Sequence, residues 1–328
     1  MIIKTPHWSA VKHEWPAMAP RVSLLLSFIL SSLLLPFLSQ ATSSGPSRVG
    51  PFGHLKSFGS FNHLEGSKKG DKREGIQKVK QYLQRYGYLS STHYSQMGSD
   101  DFDDALESSL KAFQTFYHLN STGTLDAPTA TLMSRPRCGF RDHPSNSNST
   151  INPNYSYTSR IKWPRDQMDI HYIVYPGSQP EQPIRNGFDA WAAVSNFTFE
   201  RVREESRAVL RVKFGPIDGP GGALGSASTS LSYTDATITL DDTASWTVGA
   251  VPGSYDLESV ATHEIGHILG LDHSQFEEAL MYAYFGDGVT KKLAQDDIEG
   301  LRSKYSWSIG YQLLFLGNIL DISLLQMN

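Results

Sequence analysis

Val260-Ala261-Thr262-His263-Glu264-Ile265-Gly266-His267-Ile268-Leu269-Gly270-Leu271-Asp272-His273 decides how this chain is to be read. His263 and His267 are four positions apart, so on a helix they share one face and can bind one metal ion. Glu264 is offset by one position and reaches a metal-bound water rather than the metal. Gly270 ends the helix, because glycine adopts the left-handed conformation that turns the chain back. That turn brings His273 in as a third ligand. Three neutral imidazoles with an open fourth position describe a catalytic zinc site rather than a closed structural one. Such a zinc lowers the pKa of its bound water and polarises a scissile carbonyl. Glu264 is then the expected general base, a role typically worth on the order of 10²–10⁴ in rate. Three unrelated histidines on a buried helix are the alternative, and these residue types at these offsets disfavour it. Ala279-Leu280-Met281-Tyr282 follows, and Met281 is expected to form an apolar floor beneath the metal.

The rest of the chain sets the context. Its 328 residues suffice for one or two domains plus processing segments. Hydrophobic residues at 39% and charged residues at 19% are a globular balance, not a disordered one. A net charge of −4 gives no basic footprint, so no nucleic-acid partner is expected. Near the N-terminus Arg21 precedes an apolar run, Val22 to Leu38, and then Ser39-Gln40-Ala41-Thr42. This is the layout of a secretory signal over residues 1–41, cleaved near Ala41; the alternative is a membrane anchor. Met18 would begin a more ordinary signal. Asn120, Asn148, Asn154 and Asn196 each open an N-x-S/T triplet and are candidate glycosylation sites on that route.

Residues 42–73, rich in Ser, Gly, Lys and Arg, read as a flexible lead-in. Ile76, Val79, Leu83 and Tyr86 then follow helical spacing, stopped by Gly87; Phe102, Leu106, Leu110, Phe113 and Tyr117 follow it again. Asp100 and Asp101 suit the start of that second helix. A third has Asp126 as its cap and Pro128 in its first turn. These three helices, about 74–134, could pack as a bundle of about 60 residues, marginal alone. A Ser/Asn/Pro-rich stretch, 143–158, reads as a linker open to proteolytic nicking. From Arg160 the pattern is α+β: Met168, Ile170, Tyr172 and Val174 alternate, as do 197–202, 209–214 and 236–240, and helices cover the sheet. The last helix spans about Leu293 to Tyr305. The tail 307–328 is apolar but carries Asn318 and Asp321, which is short and polar for a membrane span. Membrane association is left open.

The chain has one cysteine, so it holds no internal disulfide. Cys138 lies in Arg135-Pro136-Arg137-Cys138-Gly139-Phe140-Arg141-Asp142, just ahead of the linker. A thiolate is a good zinc ligand. On the open zinc position it would exclude catalytic water until the linker is cut. The alternative is a small buried core cysteine.

With these motifs placed, residues 74–306 resemble the matrix metalloproteinases (matrixins), most closely the plant members without a haemopexin-like domain. Pro136-Arg137-Cys138-Gly139-x-x-Asp142 matches the family's cysteine switch, and the histidine motif with Ala279–Tyr282 matches its catalytic signature. The resemblance implies a metzincin domain, a twisted sheet with covering helices (158–306). A propeptide (42–157) containing a peptidoglycan-binding-like three-helix prodomain would precede it. It implies one catalytic Zn2+, Cys138 on zinc in the latent form, and Asp296 receiving the new N-terminus after activation. It also implies that Ala223–Ala227 pairs with an extended substrate by strand addition. Asp218 and Asp241 match calcium positions, but the expected glutamate falls at Ala244. The family's structural-zinc histidines fall at Ser226 and Thr239, and its His/Asp loop is reduced to Gly215-Pro216-Ile217-Asp218, which counts against a second Zn2+. Ala283 replaces a proline after the Met-turn tyrosine. The expected function is that of a secreted, monomeric, zymogen-controlled zinc endopeptidase, acting on extracellular proteins and switched on by an activating protease. The alternative is a weak or inactive homologue serving as a secreted binding protein.

Overall fold

A computed structural model describes residues 57–90, 98–142, 161–177 and 179–305, all within one compact unit, Val49–Asn328. The signal segment 1–41, Met18, the linker 143–158 with Asn148 and Asn154, and the tail 307–328 lie outside the described residues.

The N-terminal part is helical. Helices α1 (Ile76–Arg85), α2 (Asp104–Phe116) and α3 (Ala127–Met133) bury Val79, Leu83, Leu106, Leu110 and Phe113 at the expected helical positions. Asp126 caps α3, accepting from Thr129 N. The cap of α2 is Asp103, not the acidic pair upstream: Asp103 accepts from Leu106 N, whereas Asp100 Oδ1 accepts from Gly75 N and Gln77 N at the start of α1. The Asp100 side chain thus serves the free amides of a different helix. Residues 57–73 are ordered rather than a flexible lead-in. Phe61 and Leu64 are buried in the helical core, and the Arg73 guanidinium donates to the carbonyls of His63, Leu64 and Glu65. These bonds and backbone bonds to Leu125 and Phe102 hold the segment, so it carries no periodic signal. Tyr282, Ala283 and Tyr284, far along the chain, complete the same core.

The second part is built on a six-stranded sheet of order β1-β5-β6-β4-β2-β3. Its strands are β1 (Arg137–Cys138), β2 (Asp169–Val174), β3 (Thr198–Arg201), β4 (Leu210–Gly215), β5 (Ala223–Thr229) and β6 (Ala236–Asp241). Only β5 runs antiparallel to its neighbour β6. Ile170, Tyr172 and Val174 are buried while the residues between them are not, which is the alternation of a strand with one covered face. A short pair, β7 (Trp246–Thr247) with β8 (Tyr255–Asp256), leads into the central helix α5 (Leu257–Ile268), capped by Asp256 through Ser259 N. Helix α4 (Gln182–Ala192) packs close to α5: a Cβ on Gly187 would sit 2.7 Å from Thr262 Oγ1. Both helices share their apolar faces with the sheet in one core. The last helix is α6 (Gln295–Tyr305). Two terminal carbonyls of α5 are satisfied from outside it: Trp163 Nε1 donates to Ile268 O (2.7 Å) and Tyr305 Oη to Leu269 O (2.8 Å). The architecture is the expected α+β arrangement.

Candidate metal centre

Helix α5 carries His263 and His267 on one face, and Gly270 (φ 90°) ends it as the sequence requires. The chain then returns so that His273 meets the other two. Nε2 of His267 lies 3.0 Å from Nε2 of His263 and 3.1 Å from Nε2 of His273. Cys138 Sγ lies 3.4 Å from His267 Nε2, and one donor atom from each of the four residues falls within 4.8 Å of all the others. All four side chains are buried.

The donor chemistry identifies what this cluster fits. Each histidine has an acceptor on its other nitrogen: Leu280 O on His263 Nδ1 (2.8 Å), Leu271 O on His267 Nδ1 (2.7 Å) and Asp142 Oδ1 on His273 Nδ1 (2.7 Å). The proton therefore sits on Nδ1, and three Nε2 lone pairs converge. Without a cation those lone pairs repel; nitrogens around a tetrahedral zinc at 2.0–2.1 Å stand about 3.3 Å apart. Burial holds His263 and His267 well below the usual histidine range, with the neighbouring imidazoles adding to the effect, so both are neutral ligands. The group fits zinc.

Glu264 is buried beside the cluster, and its oxygens accept no N–H or O–H from the protein. Burial pushes its carboxyl up to about 8, and the Cys138 thiol against it acts in the opposite direction. Burial raises the Cys138 thiol as well, followed by the Glu264 charge. Two glycines make this packing feasible. A Cβ on Gly225 of β5 would lie 2.5 Å from Glu264 Oε1, and one on Gly266 would collide with Met281 Sδ and stand 2.9 Å from Trp191 Cζ2. Met281 is thus packed directly against the metal-site helix.

Cys138 reaches the cluster because its peptide is held along both edges. Gly139 N donates to Gly225 O (2.8 Å) on β5, and Cys138 N donates to Ala283 O (2.8 Å) on the other side. The sequence did not announce β1, a two-residue strand parallel to β5. The charges beside Cys138 are buried rather than exposed. Arg137 stacks 3.6 Å from the centre of the Tyr86 ring and pairs with Asp142 through both terminal nitrogens. Tyr88 and Tyr117 donate to Asp142 Oδ2, each at 2.8 Å. Burial opposes the Asp142 charge, but Arg137 and the His273 bond outweigh it and hold the carboxyl well below the usual range. Phe140 stacks on His267 with ring centres 4.0 Å apart.

A family profile described as Matrixin matches residues 162–306, and one described as a putative peptidoglycan binding domain matches 72–133. The chain is 30% identical to Metalloendoproteinase 5-MMP of Arabidopsis thaliana over 317 residues, 86% of each chain. The chain belongs to the matrixin family. This matrixin is also 33% identical to Metalloendoproteinase 1 of Glycine max, over 72% of this chain and 83% of the relative. It is 32% identical to Interstitial collagenase of Equus caballus, over 71% and 50%. It is a zinc metalloendopeptidase, and its substrates are proteins.

Other expected positions fall as follows. Ser226 and Thr239 face each other across β5 and β6. Asp218 and Asp241 are both buried and close enough for the Asp218 charge to raise Asp241, after burial itself. Asp218 is paired: Arg85 of α1 donates to Oδ2 at 2.7 Å and Ala223 N to Oδ1 at 2.8 Å. Asp296 is half-buried near the Ser274 hydroxyl. Its neighbour Asp297, which the sequence reading passed over, takes the amides of Leu280, Met281 and Ala294 at 2.7–2.9 Å. Asp297 therefore fixes the turn that carries Met281. An Asp-Asp pair in the first turn of a helix was the available signal. Asn120 and Asn196 are exposed. Among the described residues no helix is long and apolar enough to cross a membrane.

Proposed function

We propose that this matrixin is a secreted zymogen whose prosegment silences the catalytic zinc with Cys138, and that Glu264 is its general base. The observation that carries this reading is the Cys138 sulfur beside three converging Nε2 atoms, on a peptide bonded along β5. When bound, zinc supplies Lewis acidity and a water of lowered pKa. His263, His267 and His273 hold it, and Glu264 takes the proton of the attacking water and returns it to the leaving amine. In the latent form Cys138 fills the remaining position and excludes that water. Its peptide also occupies the edge of β5, which the released enzyme offers to an extended substrate by strand addition. Cleavage by an activating protease in 143–158 frees that edge, and Asp296 receives the new N-terminus. Asp218 and Asp241 serve as calcium ligands in the released form, and one zinc per chain suffices because Ser226 and Thr239 replace histidines. Asn120, Asn148, Asn154 and Asn196 carry glycans on the secretory route, and the enzyme acts extracellularly as a monomer.

Cys138→Ser tests the latency directly. The substituted precursor should hydrolyse a quenched peptide before any cleavage of its chain, whereas the parent precursor stays silent. A silent Cys138→Ser precursor that still binds zinc would overturn the switch. Metal analysis of the purified precursor should find one zinc per chain, and two would refute the loss of the second site.

A further inference from the structure

The three imidazoles are not held alike. His263 and His267 stand on α5, and each gives its Nδ1 proton to a backbone carbonyl of the protease domain itself. His273 lies beyond Gly270, off the helix, where nothing in the helical register sets its ring. Its Nδ1 proton goes to the Asp142 carboxylate, at 2.7 Å, and Asp142 belongs to the prosegment. That carboxylate is anchored on every side. Its other oxygen takes Tyr88 and Tyr117, Arg137 neutralises it, and its own amide donates to Tyr86 O. It is 2% exposed.

We propose that Asp142 is a positioning residue for the zinc site: the prosegment supplies the carboxylate that fixes the ring and tautomer of His273. The prosegment then does two separable things at one metal. Cys138 blocks the fourth position, while Asp142 orients the third ligand and raises its basicity. The precursor is in consequence the form that holds zinc most tightly. Release of the prosegment costs zinc affinity beyond what the lost thiolate accounts for. This inference rests on the zinc site proposed above.

The test uses full-length precursor carrying Cys138→Ser, which removes the thiolate, with Glu264→Gln to prevent self-cleavage. Zinc dissociation constants are measured by competition with a chromophoric chelator. Adding Asp142→Ala should weaken zinc about 10- to 100-fold, the range found when such outer partners are removed. Asp142→Asn keeps the size and one acceptor oxygen and should fall between. Tyr88→Phe with Tyr117→Phe is the control for mere loosening of the loop. It removes two bonds to the other carboxylate oxygen, so it should lower the melting temperature yet leave zinc affinity within about threefold, because the oxygen facing His273 stays. Equal zinc loss in the tyrosine variant and in Asp142→Ala would overturn the proposal and leave Asp142 as a loop anchor. Unchanged affinity in both Asp142 variants would overturn it as well, with the zinc site intact. No zinc binding by any form, the Cys138→Ser parent included, would refute the zinc site itself.

Discussion

Removing Arg85 should strongly destabilise the full-length chain at a point away from the metal site. Its guanidinium reaches from α1 of the helical unit to Asp218, in the loop between β4 and β5. Both side chains are buried, with 6% and 1% of their surfaces exposed. Arg85→Met removes the guanidinium, which lies over the Phe58 and Tyr86 rings, and strands the Asp218 carboxylate beside the buried Asp241. Breaking a buried pair on one side costs about 3–5 kcal/mol. For a cooperative unit of this size that lowers the melting temperature by about 6–20 °C. Asp218→Asn keeps an acceptor for Ala223 N, and the double variant should recover a large part of the loss because no buried charge is left over. The assay is thermal unfolding of the four precursors in a Glu264→Gln background, without calcium. Millimolar calcium should then restore Arg85→Met and leave the parent unchanged, since only the variant has both carboxylates available to a cation. An Arg85→Met precursor melting within about a degree of the parent would refute the reasoning.

Two further outcomes are expected. Gly225→Ala places a methyl 2.5 Å from Glu264 Oε1, so the released enzyme should keep its zinc but lose kcat, read with a quenched peptide; unchanged kcat would show that the carboxylate has room to move. His263 and His267 sit below the ordinary value of about 6.5, so the unfolded chain binds more protons than the folded one below that pH. Their contribution is therefore present above about 6.5 and lost as pH falls below it. Protons compete with zinc for the same nitrogens, so zinc release in acid should begin in that window, followed with a metal indicator.

The metal site was legible because its chemistry is local in sequence. Two ligands and the base lie on one turn of helix, and the third ligand follows six residues after His267, past Gly270. Two of the three N-terminal helices were legible from their apolar period, and the third from its Asp126 cap and Pro128. What escaped reading depends on contacts between distant segments. Asp100 caps α1 although it stands just ahead of α2. Residues 57–73 are held by Arg73 donating to loop carbonyls and by backbone bonds to Leu125 and Phe102, which leave no pattern. The strand β1 is two residues long and exists because β5 and the chain at Ala283 offer it partners. Asp142 was read as part of a motif, but its bond to His273 spans 131 positions. Tyr282, read as the neighbour of Met281, closes the core of the helical unit instead, together with Tyr284.

The central claim is that His263, His267 and His273 hold a zinc at which Glu264 drives peptide hydrolysis. The measurement that tests it most directly is cleavage of a quenched peptide by the chain cut ahead of Trp163, with and without a chelator, beside Glu264→Ala. The account predicts turnover that the chelator abolishes and zinc restores, and a Glu264→Ala form that binds zinc yet is slower by about 10²–10⁴. Folded, zinc-loaded protein with no chelator-sensitive cleavage, or equal turnover by Glu264→Ala, would contradict it.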